Sequence, residues 1–121
     1  MHFFEKELST TDVKRQIAIP SDFMEHLPRY QGGVTISFPV HDASGKVWEN
    51  FGYYFRREDQ DYRKPVFQKD WCKYVRAKGL TSGDKIIFRV EENPDGVPRY
   101  TIAAQKRVVV FDTFFGWSEE F

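Results

Sequence analysis

Side chains that could carry out catalysis are scattered along this 121-residue chain rather than grouped. The three histidines, His2, His26 and His41, lie on separate predicted elements and lack the HxH or HxxxH spacing typical of metal ligands. Nothing in the sequence resembles the nucleophile and base, or the paired carboxylates, that a hydrolase needs. The sequence therefore predicts a protein that is not an enzyme and that requires no cofactor and no metal.

The single cysteine, Cys72, can form neither an internal disulfide nor a cysteine-rich zinc site. It lies in a predicted helix, where a lone cysteine usually packs as a small apolar side chain, although a helix N-terminus can also make a thiol reactive. One cysteine is typical of a reducing compartment. Because no apolar stretch is long enough for a membrane span or resembles a secretory leader, we expect a soluble, intracellular protein.

Once catalytic and metal-binding groups are set aside, the side chains that could bind a ligand lie in two polar stretches that contain basic residues. Residues 9–15 combine hydroxyl groups with basic side chains, and seven of the nine residues in 56–64 are charged. Hydroxyl and ammonium groups bind phosphate oxygens, and arginine offers a planar fork of donors that matches guanine O6 and N7. Residues 56–64 are too polar to face a core, and the opening strand stops at the polar group 9–12, so each stretch is predicted to be a loop between strands.

The charge balance gives evidence both for and against nucleic-acid binding. The chain has 18 basic and 18 acidic residues, whereas nucleic-acid binders usually carry a basic excess. Residues 61–90 nevertheless hold eight basic residues against three acidic ones, while residues 91–121 hold three against six. Ordinary solvated surfaces would explain this uneven distribution of charge along the chain equally well. Composition alone therefore leaves nucleic-acid binding as one interpretation among others.

The elements that must position these stretches are mostly strands. Hydrophobic residues make up 40% of the chain and aromatic residues 17%, which predicts one packed domain. Alternating apolar residues predict strands at 2–8, 16–19, 34–40, 46–55 and 86–90, another from residue 100, and a further apolar run at 108–111. Six to eight short strands with few helices are typical of a β-barrel or sandwich.

Two short helices complete the predicted elements. Phe23, Met24 and Leu27 share one face of the first, which follows Pro20. The second has Asp70 as its predicted N-cap and Gly79 as its C-terminal stop. The second polar stretch therefore leads into the second helix.

Five motifs, in the same order along the chain, resemble those of the plant B3 DNA-binding domain, also called the DNA-binding pseudobarrel. The similarity covers residues 3–104. The pattern F-x-K-x-L-(T/S)-x-(S/T)-D-V is matched by residues 4–13, I-P and a helix ending in proline by residues 19–28, G-K-x-W by residues 45–48, the G-W-x-x-F-V helix by residues 70–75, and L-x-x-G-D-x-x-x-F by residues 80–88.

The resemblance implies a mainly β fold, an open seven-stranded barrel with two short α-helices. Residues 1–104 would form this domain, and residues 105–121 a C-terminal extension that packs on the barrel or trails from it. The implied function uses two arms, the loop after the opening strand (first arm) and the loop before the second helix (second arm), which grip the major groove of double-stranded DNA. The implied DNA-binding residues are Lys6, Ser9, Thr10, Thr11, Lys14 and Arg15 on the first arm, Arg56, Arg57, Gln60, Tyr62, Arg63 and Lys64 on the second, and Lys69 just before the helix.

The expected function is that of a sequence-selective DNA-binding module in a nuclear plant transcription factor. Its partners would be double-stranded DNA and other transcription factors, with no membrane and no small-molecule substrate. The alternative is a protein-interaction domain of the same fold with weak or lost DNA binding, which the zero net charge and the aromatic, acidic tail at 114–121 favour. A last strand or a short helix packed on the barrel is the other interpretation of that tail.

Overall fold

Strands account for most of the molecule. The computed structural model describes residues 1–28, 36–57 and 63–121. In chain order the elements are β1 His2–Glu7, α1 Thr10–Lys14, β2 Ile17–Ala18, a 3-10 helix Ser21–His26, β3 Ile36–Asp42, β4 Val47–Arg57, β5 Arg63–Lys69, α2 Asp70–Lys78, β6 Lys85–Glu92, β7 Pro98–Gln105, β8 Arg107–Val110 and β9 Thr113–Trp117. No helix in these ranges is long and apolar enough to span a membrane.

Seven of the strands form one curled sheet in the order β1-β6-β7-β3-β4-β5-β2. Neighbours pair antiparallel except β3 and β7, which run parallel and are in register at only two positions. The strands β1 and β2 are therefore the two edges of the sheet. This curled half-barrel confirms the predicted fold class, and β8 and β9 form a separate two-stranded hairpin.

Aromatic side chains fill the inside of the curled sheet. Phe67 lies at the centre, with its ring centroid 5.0 Å from that of Phe88 and 5.2 Å from that of Phe51. All three side chains are fully buried, as is Trp71 of α2. Burying each such side chain contributes about 2 kcal/mol. The core therefore gives the sheet a fixed curvature on which polar surface elements can be held.

The turn between β3 and β4 is organised by Asp42. Its carboxylate accepts hydrogen bonds from the backbone and hydroxyl of Ser44, the backbone of Lys46 and Nε1 of Trp48, and Lys78 Nζ lies 3.5 Å away. Burial acts to raise the pKa of Asp42, but these hydrogen bonds and the Lys78 charge outweigh it and lower the pKa from 3.8 to about 2. The turn is thereby joined to the last turn of α2.

Several predicted elements are confirmed. The first strand, the β3–β4 hairpin and the β6–β7 pair form where alternation predicted them. Gly79 ends α2 with a left-handed φ of 63°, as a C-terminal stop should. The tail forms a strand, β9, rather than a helix, and Phe121 then packs against the core.

The secondary-structure prediction is wrong in several details. The first predicted helix is a 3-10 helix, not an α-helix. The strand β5 was not expected, because Pro65 lies among polar residues in a segment that does not alternate. Asp70 is the first residue of α2 instead of its cap, and its carboxylate accepts a hydrogen bond from the backbone of Asn50 at 2.9 Å. The cap position is occupied by Lys69.

Candidate nucleic-acid interface

The first arm contains a short helix, α1, where a loop was expected. Ser9 caps this helix by accepting a hydrogen bond from Asp12 N at 3.2 Å, and the Asp12 carboxylate accepts one from Ser9 N at 2.8 Å. This reciprocal pair is a capping box, which satisfies free N–H groups at a helix start. Serine followed three residues later by an acidic residue is the sequence signal that the loop prediction overlooked.

Asp12 also fixes α1 to the rest of the domain. Lys6 Nζ on β1 lies 3.0 Å from Asp12 Oδ1, and the Asp12 side chain is only 5% exposed. On the other side, Trp71 Nε1 donates a hydrogen bond of 2.7 Å to the Asp12 carbonyl. Of the predicted DNA-binding residues, Lys6 and Ser9 thus have partners inside the protein. Neither Asp12 nor Trp71 was among the predicted site residues.

The outer surface of the first arm carries polar groups that point to solvent. Thr10, Thr11, Lys14 and Arg15 are all exposed. Within the described ranges, neither Lys14 nor Arg15 forms an ion pair. The arm is fixed where it leaves the helix, because the carbonyl of Arg15 accepts a hydrogen bond from Cys72 Sγ on α2 at 3.1 Å. The backbone that carries these exposed hydroxyl and cationic side chains is thus linked to α2.

The second arm is a β-hairpin rather than a loop at its base. Arg56 pairs with Lys64 and Arg57 with Arg63 at the ends of β4 and β5, so the prediction that these four residues lie in a loop is wrong. The antiparallel ladder simply continues past the apolar part of both strands. The predicted contacts at Gln60 and Tyr62 lie outside the described residues.

The strand β5 connects the two arms. It pairs antiparallel with β2, Ile17 opposite Phe67 and Ala18 opposite Val66, so the chain that leaves the first arm runs along it. The first arm therefore lies near the α2 end of β5, and the base of the second arm lies at its other end. A strand of this length spans about 20 Å. The chain segments that carry the two groups of basic residues are thus attached to opposite ends of one strand, β5.

Lys69 lies at the junction of β5 and α2, at the end of β5 that is near the first arm. Its backbone has φ 63° and ψ −111°, a conformation rare for a residue with a side chain. The side chain is exposed, and Nζ donates a hydrogen bond of 3.0 Å to Ser37 Oγ on β3. The ammonium group therefore lies on the outer surface of the sheet, near the start of α2.

Tyr54 provides a further contact between the arms. Its hydroxyl on β4 donates a hydrogen bond of 2.7 Å to Oε1 of Gln16, the residue between the first arm and β2. Sequence reasoning missed this pair, since the two residues are 38 positions apart and neither forms part of a motif. The contact adds a direct link from the β4–β5 hairpin to the exit of the first arm.

Comparison with known proteins identifies relatives over most of the chain. Residues 4–106 match the family described as the B3 DNA binding domain. A B3 domain-containing protein of Oryza sativa subsp. japonica is 36% identical over 93 residues, which cover 70% of this chain and 46% of that protein. The B3 domain-containing transcription factor NGA4 of Arabidopsis thaliana is 32% identical over 99 residues, covering 78% and 28% respectively.

Solved structures share the fold. The chain in a structure titled Arabidopsis FUS3-DNA complex is 30% identical, with a TM-score of 0.70, and the match covers 87% of this chain and 98% of that one. The Arabidopsis thaliana transcription factor LEC2, also solved with DNA, is 22% identical with a TM-score of 0.59 over 82% of this chain and 92% of that one. This chain spans less than half the length of both curated relatives named above.

Proposed function

This chain belongs to the B3 DNA-binding domain family, and we propose on that premise that it binds double-stranded DNA as the DNA-binding module of a plant transcription factor. The resemblance found in its five motifs is thus confirmed. The observation that carries the proposal is the 30% identity to the chain of the FUS3-DNA complex, over nearly the whole of that chain. A second source of support is that both arms carry basic residues and are attached to opposite ends of the same strand, β5.

The two arms would have different roles, the first in binding phosphates and the second in reading bases. In the first arm, Lys14, Arg15 and the hydroxyls of Thr10 and Thr11 would bind phosphate oxygens, which sets position without reading sequence. Lys6 and Ser9 would act indirectly, because their polar groups hold α1. Lys69, at the first-arm end of β5, would add a further phosphate contact.

The second arm would supply sequence selectivity. Its implied DNA-binding residues include arginines, and a bidentate arginine contact to guanine is a common specific contact in the major groove. That groove is about 12 Å wide, so it admits a two-stranded hairpin such as β4–β5. The residues proposed for this reading are Arg56, Arg57, Gln60, Tyr62, Arg63 and Lys64.

The family membership also leads us to propose a nuclear protein with other transcription factors as partners. No catalytic role is proposed, and no membrane, cofactor or small-molecule substrate is required for the activity. The alternative function, a protein-interaction domain that no longer binds DNA, has less support because sequence identity extends to a relative solved with DNA.

Binding to random duplexes in rising salt, followed by selection from a random library, tests the proposal. Log affinity should fall linearly with log salt, by about 0.9 for each phosphate contact. Lys14→Ala should reduce that slope by about 1, and Arg57→Ala should cost about 1–3 kcal/mol on the selected sequence. Arg99→Ala, which removes an exposed arginine of β7, is the matched control. It should change neither the salt slope nor the affinity for the selected sequence. A folded chain without affinity at low salt would instead favour the protein-interaction alternative.

A further inference from the structure

Gln16 is a half-buried residue whose backbone is held on both sides. Before it, the carbonyl of Arg15 accepts the hydrogen bond from Cys72 Sγ. After it, Ile17 is fully buried and pairs with Phe67 of β5. These contacts fix the point at which the first arm passes into β2. Gln16 was not among the DNA-binding residues that the sequence predicted.

The side chain of Gln16 points to the outer face of the sheet. Residues of a strand alternate between the two faces, so Gln16 and Ala18 lie on the face opposite to that of Ile17, which belongs to the hydrophobic core. Ala18 is opposite Val66 in the sheet, and Val66 is opposite Tyr54. Val66 is 1% exposed but does not belong to the core, so it is covered from the outer side. Gln16 and Tyr54 therefore meet on the outer face.

The contact with Tyr54 orients the amide of Gln16. The Tyr54 hydroxyl donates its hydrogen bond of 2.7 Å to Gln16 Oε1. Because the oxygen and the NH₂ group of a planar amide point in different directions, the NH₂ group is directed away from Tyr54. In the ranges that the structure describes, Gln16 Nε2 donates to no protein acceptor. Both side chains are half-buried, and a hydrogen bond is stronger where water is partly excluded.

The outer face beside the first arm is where the proposed duplex would lie. The core fills the inner face, and the two arms are attached to opposite ends of β5, so a duplex in contact with both arms would lie against the outer face. Glutamine N–H groups commonly donate to phosphate oxygens. A glutamine that reads adenine uses both its amide oxygen and its NH₂ group, whereas the oxygen of Gln16 is bonded to Tyr54. The available end of this amide therefore suits a phosphate oxygen rather than a base.

We propose that Gln16 is a further DNA-contacting residue, which donates from Nε2 to a phosphate oxygen beside the first arm, and that Tyr54 is the positioning residue that orients it. The inference rests on the proposed DNA binding and adds two residues to it. Gln16 is uncharged, so its contact adds affinity without changing the number of counterions released. Because phosphates carry no sequence information, the contact strengthens binding to every duplex by the same factor.

Gln16→Met and Tyr54→Phe test the two roles when binding to the selected duplex and to a random duplex is measured in rising salt. Gln16→Met keeps the length of the side chain but removes the amide, so binding to both duplexes should weaken roughly fivefold with an unchanged salt slope. Tyr54→Phe removes only the hydroxyl and should weaken both about threefold. The double variant should resemble Gln16→Met, because Tyr54 acts through Gln16. Independent effects would instead multiply to about fifteenfold.

Two control variants remove the same chemical groups elsewhere in the protein. Gln105→Met removes an amide of β7 that already donates to the Ser118 carbonyl at 3.0 Å. Tyr74→Phe removes a buried hydroxyl that has no hydrogen-bond partner in the described part of the chain. Both controls should bind DNA like the wild type. Thermal unfolding should show that every variant is folded at the temperature of the binding assay.

The outcomes separate this inference from the proposed function. A folded wild type without affinity for DNA at low salt would overturn both. A wild type that binds DNA, with Gln16→Met binding equally well, would overturn only this inference. A reduced salt slope in either variant would also overturn it, since the loss would then come from cationic contacts of a loosened first arm. Losses that multiply in the double variant would overturn the positioning role of Tyr54.

Discussion

The backbone of Lys69 adopts a left-handed φ where β5 meets α2, at a position that the proposed interface uses. Glycine tolerates this conformation, whereas alanine does not. Lys69→Gly and Lys69→Ala both remove the ammonium group, so both should reduce the salt slope of DNA binding by about 1. Thermal unfolding should show the glycine variant to be more stable than the alanine variant by about 1 kcal/mol. Equal stability would contradict the strain at this residue.

Individual residues of the site differed in how well the sequence predicted them. Lys14 and Arg15 are exposed, as a polar stretch requires. Ser9 lies in the same stretch and Lys6 on β1 just before it, yet both bind Asp12, whose carboxylate accepts from Lys6 and whose backbone N–H donates to Ser9. Polarity predicts that a residue meets water or a polar partner, but it does not predict which of the two. That choice depends on contacts such as the one with Trp71, 59 positions away.

One of the contacts that position α1 comes from the buried indole of Trp71. Trp71→Phe keeps most of the core volume but leaves the Asp12 carbonyl without its hydrogen bond, which should cost about 1–3 kcal/mol. DNA affinity should fall several-fold as well, because the first arm is loosened. Trp48→Phe is the matched control, since Trp48 Nε1 likewise donates to Asp42, in the β3–β4 hairpin. It should lower thermal stability and leave the affinity of the folded protein unchanged; an equal loss of affinity in both variants would refute the role of α1.

The β3–β4 turn should make stability depend on acid. Because the folded-state pKa of Asp42 is about 2, below its ordinary value of 3.8, the stabilisation is complete above pH 4 and is lost as the pH falls towards 2. Urea unfolding at several pH values should therefore show a steep loss in this window. Asp42→Asn should be less stable at neutral pH and lose less on acidification. The variant should still lose some stability on acidification, because Asp84 also has a lowered pKa. Burial acts to raise the pKa of Asp84, but its hydrogen bonds outweigh that effect. An unchanged pH profile would contradict the assignment.

Elements whose side chains alternate were the ones the sequence predicted well. Val40, Ile86 and Phe88 lie in such runs and are buried in their strands. The strand β5 escaped prediction because it is specified by its neighbours β4 and β2, which pair with it on both sides. A five-residue helix such as α1 is too short to show a period. Its existence depends on a cap and on tertiary contacts.

At the scale of the whole molecule, the formal charge of zero is a poor guide to binding. Many of the carboxylates form ion pairs with basic residues of the same chain. Examples are Glu120 with Arg89, Asp84 with Lys106 and Asp12 with Lys6. Lys14 and Arg15, by contrast, have no such acidic partner in the described ranges. The local field at the first arm is therefore more positive than the total suggests.

The two edges of the seven-stranded sheet, β1 and β2, are joined by α1 and its flanking residues. This short segment bridges the two edge strands of the curled sheet. The contacts of Asp12 with Lys6 and Trp71 hold this segment against β1 and α2. The proposed DNA contacts of the first arm and the connection between the two sheet edges would therefore depend on the same few hydrogen bonds.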